Sequence, residues 1–149
     1  MRVIISILLL FVAGLAAQAQ EFVVPTNRPP VAQATNLTLR VIRAELLHAM
    51  LQRTNDFVLV DVMPRLYYQD YHIKGAMSVP EAEIAATVRD WPRGRRIVVY
   101  CLDAECETGR DAAITLMSMG FSDVLLYEGG KREWRARKYE AMGKGKLLD

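Results

Sequence analysis

A three-layer α/β domain with a mostly parallel sheet of about five strands is the fold class this sequence predicts. Three observations predict it. Short β-branched runs at 57–62 (FVLVDV), 97–100 (IVVY) and 124–127 (VLLY) are apolar almost throughout, as strands covered on both faces of a parallel sheet are. Segments with apolar residues at helical spacing stand between them. Proline, glycine and Asn/Asp pairs punctuate each change from one pattern to the other.

The elements follow in order. Residues 37–41 predict a short strand. Ile42, Leu46, Leu47, Met50 and Leu51 fall at helical spacing, so a helix ends near Arg53. Asn55-Asp56 is a turn, and 57–62 is a strand whose only charge is Asp61. Asp61 is read as tying down nearby backbone N–H groups. Pro64 suits the first position of a helix over 65–71. Residues 72–75 form a turn held by His72, and 76–79 a short strand. Ile84, Val88 and Trp91 share a face of a helix over 80–91 that Pro92 and Gly94 stop. After the strand at 97–101, Thr108 and Asp111 are spaced as a capping box, and Gly120 ends that helix. Gly129-Gly130 breaks the last strand, and 131–138 is helical. Trp91 and Trp134 are read as packing residues, and His48 as an exposed helix residue.

The chain has 149 residues, 52% of them hydrophobic, which is enough for one core. The net charge of +2 is dispersed. The most basic stretch, KREWRARK at 131–138, reads as a solvated helix face, so no nucleic-acid partner is expected. Residues 1–19 resemble an export signal: Arg2, an apolar run over 3–15, then Ala17-Gln18-Ala19 before Gln20. That run is shorter than the roughly 20 residues of a membrane span. The expectation is an exported protein, periplasmic or extracellular, with no membrane attachment after cleavage. Residues 20–36 are a Pro-, Ala- and Gln-rich lead-in, 37–142 the domain, and 143–149 a short frayed tail.

The stretch RRIVVYCLDAECETGRDAAITLMSMG at 95–120 carries the chemistry. It reads as strand, loop and helix, with Cys101 at the strand's carboxyl end, where open α/β sheets place ligands. The chain's second cysteine, Cys106, lies in the same loop. A bridge closing so small a ring constrains little of the unfolded chain. Local redox chemistry or a reactive thiol is therefore a better reading than a structural staple. Backbone N–H groups of the loop and the amino end of the next helix favour a thiolate at Cys101. Asp103, Glu105, Glu107 and Asp111 oppose it, with Arg110 the nearby positive charge. No metal site is expected, because no second histidine or carboxylate stands at ligand spacing from His72.

The chain resembles the rhodanese family in several separate places. FVLVDVMPRLYYQDYHIKGAMSVP at 57–80 resembles the family's strand, Asp-Val pair and His-Ile-x-Gly-Ala turn. IVVYC at 97–101 resembles the strand that delivers its cysteine. GFSDVLLYEGGKREW at 120–134 resembles the closing strand, Gly-Gly turn and tryptophan helix. The resemblance implies a sulfurtransferase scaffold with Cys101 as nucleophile and persulfide carrier, and no cofactor. The active loop is Leu102, Asp103, Ala104, Glu105, Cys106, Glu107 and Thr108. It lacks the glycine and arginine of the Cys-x-x-Gly-x-Arg members and is similar to the subset with a second cysteine. Met63 stands where an arginine is common.

Arg110 is a candidate for steering an anion at the loop rim. The acidic loop argues against a fast reaction with an anionic donor such as thiosulfate. The expected partner is a small, neutral sulfur donor or a protein bearing a thiol or persulfide. Two alternatives stay open: a thiol–disulfide or sulfur-relay protein in which Cys106 resolves a persulfide or sulfenic acid on Cys101, and a catalytically silent binding module.

Overall fold

The computed structural model describes residues 38–53 and 56–148. The segment read as an export signal, 1–19, and the lead-in, 20–36, lie outside the described residues. Twelve regular elements follow: β1 (Arg40–Ile42), α1 (Ala44–Arg53), β2 (Phe57–Asp61), α2 (Arg65–Asp70), β3 (Tyr71–Ile73), β4 (Met77–Ser78), α3 (Ile84–Thr87), β5 (Arg96–Tyr100), α4 (Glu107–Ser118), β6 (Val124–Tyr127), α5 (Gly130–Ala136) and β7 (Ala141–Gly143). Five strands form a parallel sheet in the order β1-β6-β5-β2-β4. The expected α/β architecture is present, with the three central strands as the apolar runs.

Alternation along those strands builds a core on each sheet face. Val58, Val60, Ile97, Val99, Val124 and Leu126 pack with Ala112, Ala113 and Leu116 of α4 and Ile84 of α3. Phe57, Leu59, Val98, Tyr100, Leu125 and Tyr127 pack with Leu47 of α1 and Trp134 of α5. Register aligns Asp61 with Tyr100, and Tyr100 with Tyr127, across the carboxyl ends of three neighbouring strands. The loop carrying Cys101 leaves the sheet directly beyond this row.

Several local expectations are corrected. Ile42 ends β1 instead of opening the helix. The helix expected over 80–91 is a 3-10 turn at Glu81–Glu83 followed by the one-turn α3. Its continuation is replaced by Arg93, whose guanidinium donates to the carbonyls of Val88, Arg89 and Trp91. The Thr108–Asp111 capping box does not form: α4 begins at Glu107 with Cys106 as its N-cap. His72 lies in β3, with Nδ1 donating to the Tyr68 carbonyl at 2.8 Å. His48 is half-buried and stacks on Tyr139.

The carboxyl-terminal segment is held rather than frayed. β7 pairs antiparallel with β3. The Asp70 carbonyl accepts from the N–H groups of Lys144 and Gly145, and its carboxylate from those of Lys146 and Leu147. Leu148 is buried. One acidic side chain thus substitutes for a strand in satisfying this backbone.

Tyr100 and Tyr127 make stability sensitive to alkali. Burial pushes the Tyr100 phenol well above its usual range, and the Asp61 charge adds to this. Burial and Glu133 do the same at Tyr127. A pKa raised on folding gives stability that is fully present below the unfolded value, about 10, and is lost as pH rises above it. Stability should therefore fall with a limiting slope of roughly 1.4 kcal/mol per pH unit for Tyr100 alone. The check is tyrosinate absorbance against unfolding: ionisation of these two rings before unfolding begins would contradict the assignment.

Candidate active site

Cys101 is the first residue after β5 and is 2% exposed. It forms a disulfide with Cys106, with Cα atoms 6.2 Å apart. Cys106 is half-buried at the amino end of α4. The bridge thus ties a strand end to a helix start. Met63 covers the inner sulfur, with its Sδ 3.3 Å from Cys101 Sγ. Gly109, in the first turns of α4, packs against Cys101 closely enough that an added Cβ would lie 3.2 Å from the cysteine Cβ.

The loop holds its shape through backbone groups. Asp103 accepts the Glu105 N–H on its carboxylate and the Cys106 N–H on its carbonyl, both at 3.2 Å. The start of α5 supports the other side. The N–H groups of Lys131 and Arg132 donate to the carbonyls of Cys101 and Leu102 at 3.1 and 3.0 Å. Gly130 allows this approach. Its φ is +62°, and a Cβ there would lie 2.5 Å from the Leu102 carbonyl carbon, so both the conformation and the space require glycine.

Lys131 is the residue that sequence reasoning missed. The polar pattern of 131–138 predicts a solvated position for it. Instead its side chain and that of Asp61 are both 0% exposed and form an ion pair at 2.9 Å. Lys131 Nζ also donates to the Tyr67 carbonyl at 3.0 Å. Asp61 accepts from the Tyr100 hydroxyl at 2.9 Å and from the Met63 N–H at 3.0 Å. Burial pushes the Asp61 carboxyl up and the Lys131 ammonium down, and their mutual attraction opposes both shifts. The sequence held two signals: a lone carboxylate in an apolar strand needs a partner, and Lys131 lies three residues before Trp134, on its helix face. The expectation that Asp61 binds backbone agrees with its bond to Met63, but its main partner is this cation.

The acidic side chains around the loop differ in their partners. Asp103 pairs with Arg132 at 2.8 Å, and Arg110 with Glu128 at 2.5 Å. The positive charge near the loop is therefore not Arg110 alone. Ala104, Glu105 and Glu107 are exposed, while Leu102 and Thr108 are half-buried. A cavity of about 40 Å³ opens on the disulfide, lined by Cys101, Cys106, Gly109, Arg110 and the carboxylate-bearing Glu107 and Glu128, among others. The structure brings Cys101, Cys106, Asp103, Ala104, Glu105, Glu107 and Arg110 to this cavity, but not Leu102 or Thr108. A wider groove of about 710 Å³ adjoins it, sharing Asp103, Ala104 and Glu128 and adding Arg43, Arg132 and Arg137.

Among known proteins, the rhodanese-like domain family matches residues 43–137. An HTH-type transcriptional regulator of Mycobacterium tuberculosis is 37% identical over 95 residues, which are 64% of this chain. The alignment spans 41% of that regulator's length. The thiosulfate sulfurtransferase GlpE of Pseudomonas fluorescens is 34% identical over 59% of this chain and 79% of its own length. The solved rhodanese-like domain of an Anabaena protein superposes with a TM-score of 0.64 at 29% identity, covering 71% of this chain and 80% of that one. The family thus matches across four of the five sheet strands, all but β1, and through the cysteine loop, and the fold agrees independently: this chain belongs to the rhodanese-like domain family.

Proposed function

We propose that this chain is a sulfurtransferase in which Cys101, once reduced, takes a sulfane sulfur and carries it as a persulfide. The observation that supports this most is the position of Cys101: at the end of a central strand, in a curled loop, beside a cavity of about 40 Å³. Kinship with the GlpE sulfurtransferase adds to it. In the proposed step the Cys101 thiolate attacks the outer sulfur of a donor. The bond between that sulfur and the donor breaks, and the donor leaves with the electron pair. A thiol acceptor then takes the sulfur by the same displacement.

The donor class follows from size and charge. The cavity is too small for a whole organic donor, so the sulfur must be offered at the end of a chain. Asp103, Glu105, Glu107 and Glu128 line it; Arg132 pairs with Asp103 and Arg110 with Glu128, which leaves the charges of Glu105 and Glu107 in excess. Anions approaching it meet like charge. The adjoining groove carries both signs of charge, which suits a polypeptide donor or acceptor. We further infer export, from the signal pattern over 1–19.

The test uses reduced protein, donors of each class and peptide mass spectrometry. One added sulfur on the Cys101 peptide is expected, with transfer falling to background in Cys101→Ser. Full transfer by Cys101→Ser would remove the reading. The disulfide itself favours a second reading, a thiol–disulfide relay through Cys101 and Cys106. That reading predicts exchange with thiol proteins and no sulfur gain from any donor.

A further inference from the structure

The bonded form of the site has a chemistry the thiolate lacks. With Cys101 and Cys106 joined, neither sulfur is a nucleophile, and a sulfane donor finds nothing to accept its sulfur. A disulfide is instead open to attack by a nucleophile, at whichever sulfur is reachable. Here the two sulfurs are unequal. Cys101 is 2% exposed, with the Met63 thioether 3.3 Å from its Sγ and Gly109 against its Cβ. Cys106 is half-buried at the mouth of α4.

The cavity beside the bond selects the nucleophile. At about 40 Å³ it has room for only a few water-sized atoms. Its rim is acidic, and Arg110 is already engaged by Glu128. Bulky anionic thiols are excluded by size and repelled by charge. Hydrogen sulfide enters uncharged and loses its first proton to solvent at the cavity, leaving HS⁻ beside the bond.

We propose that the disulfide form captures hydrogen sulfide. Hydrosulfide attacks Cys106 Sγ, a new S–S bond forms there, and the Cys101–Cys106 bond breaks. The electron pair leaves on Cys101 Sγ, which takes the proton carried in by the sulfide. HS⁻ and the disulfide thus give Cys106–S–S⁻ and Cys101–SH. The incoming sulfur is oxidised by two electrons to the sulfane level, and the disulfide is reduced by the same two. The direction suits the surroundings. The negative persulfide rests at the amino end of the 12-residue α4, and the neutral thiol stays buried against Met63. The same helix end also favours Cys106 as the leaving sulfur; both cysteines line the cavity, and what decides against that route is the lower exposure of Cys101 and the Met63 thioether against its Sγ. The proposal uses the same two cysteines as the sulfurtransferase reading, but does not need Cys101 to accept a sulfane sulfur.

The experiment treats oxidised full-length protein with sulfide without oxygen, quenches at short times with an alkylating agent, and maps peptides by mass. The expected result is one added sulfur per chain on the Cys106 peptide and an alkylated, unmodified Cys101. Sulfide should consume the disulfide on the order of tenfold faster than a tripeptide thiol matched for thiolate concentration. Cys106→Ser, which lacks the bond, should gain nothing from sulfide. The proposal is overturned by reduction without protein-bound sulfur, by sulfur on Cys101 alone at the earliest quench, by no reaction, or by equal rates with the tripeptide thiol. Reduced wild-type protein given a sulfane donor runs in parallel. Its result tests the sulfurtransferase reading separately, so either can fail while the other stands.

Discussion

Lys131→Met is expected to lower the free energy of unfolding by about 3 to 5 kcal/mol. Methionine fills the space of the lysine stem but leaves Asp61 as an unpaired charge at 0% exposure. The Tyr100 hydroxyl and Met63 N–H still bind it, but neither supplies a compensating charge. The Tyr67 carbonyl also loses one of its two donors and keeps the Tyr71 N–H. The pH response identifies the cause. Burial already raises the Asp61 carboxyl, and removing the cation raises it further. A carboxyl raised on folding is stabilising below its unfolded pKa, about 4, and that contribution is lost as pH rises through the folded value. The variant should thus regain stability relative to wild type on acidification, opposite to an ordinary salt-bridged carboxylate. Denaturant melts at several pH values read both effects. A loss under about 1 kcal/mol, equal at all pH, would mean that the pair does not hold the loop's base. Lys131→Met combined with Asp61→Asn should recover part of the loss, because the isolated charge is gone.

Gly130→Ala is expected to cost about 2 to 4 kcal/mol and to impair sulfur loading at Cys101. Two penalties combine. The position has φ +62°, which a Cβ disfavours, and that Cβ would lie 2.5–2.6 Å from backbone atoms of Leu102 and Asp103. Those atoms belong to the active loop, so relief comes only by moving it away from α5. The bonds from Lys131 and Arg132 N–H to the loop carbonyls lengthen in the process. Gly94→Ala is the control, since nothing lies within 4 Å of a Cβ there; it should change stability by less than about 1 kcal/mol. Equal effects at the two glycines would show that ordinary glycine entropy, and not the contact, is being measured. An unchanged loading rate in Gly130→Ala would show that the loop tolerates displacement.

These two residues mark where local pattern stops informing. Apolar runs over 57–62, 97–100 and 124–127, separated by helical spacing, determine a parallel α/β sheet, because only a strand covered on both faces is apolar at every position. The strand-end place of Cys101 and the loop position of Cys106 follow from the same runs. None of this required knowing which helix lies against which loop. The spacing over 80–91 predicts one helix, but Arg93, a residue outside it, satisfies its carbonyls. The tail's composition predicts fraying, but Asp70, far away in sequence, satisfies its N–H groups. Lys131 reads as solvated because five of its seven neighbours in KREWRARK are charged, while its partner Asp61 is 70 positions earlier.

The sequence by itself determined the fold class, the family resemblance and the two sulfur atoms on which any chemistry must turn, since each is written in residues close together along the chain. Only the tertiary structure decided that the sulfurs are bonded, that Met63 covers one of them, and that a buried Asp61–Lys131 pair sits beneath the loop. The reason is physical. Periodicity reports which face of an element avoids water, but a disulfide, a covering thioether and a compensating charge depend on which distant groups the folded sheet brings within a few ångströms.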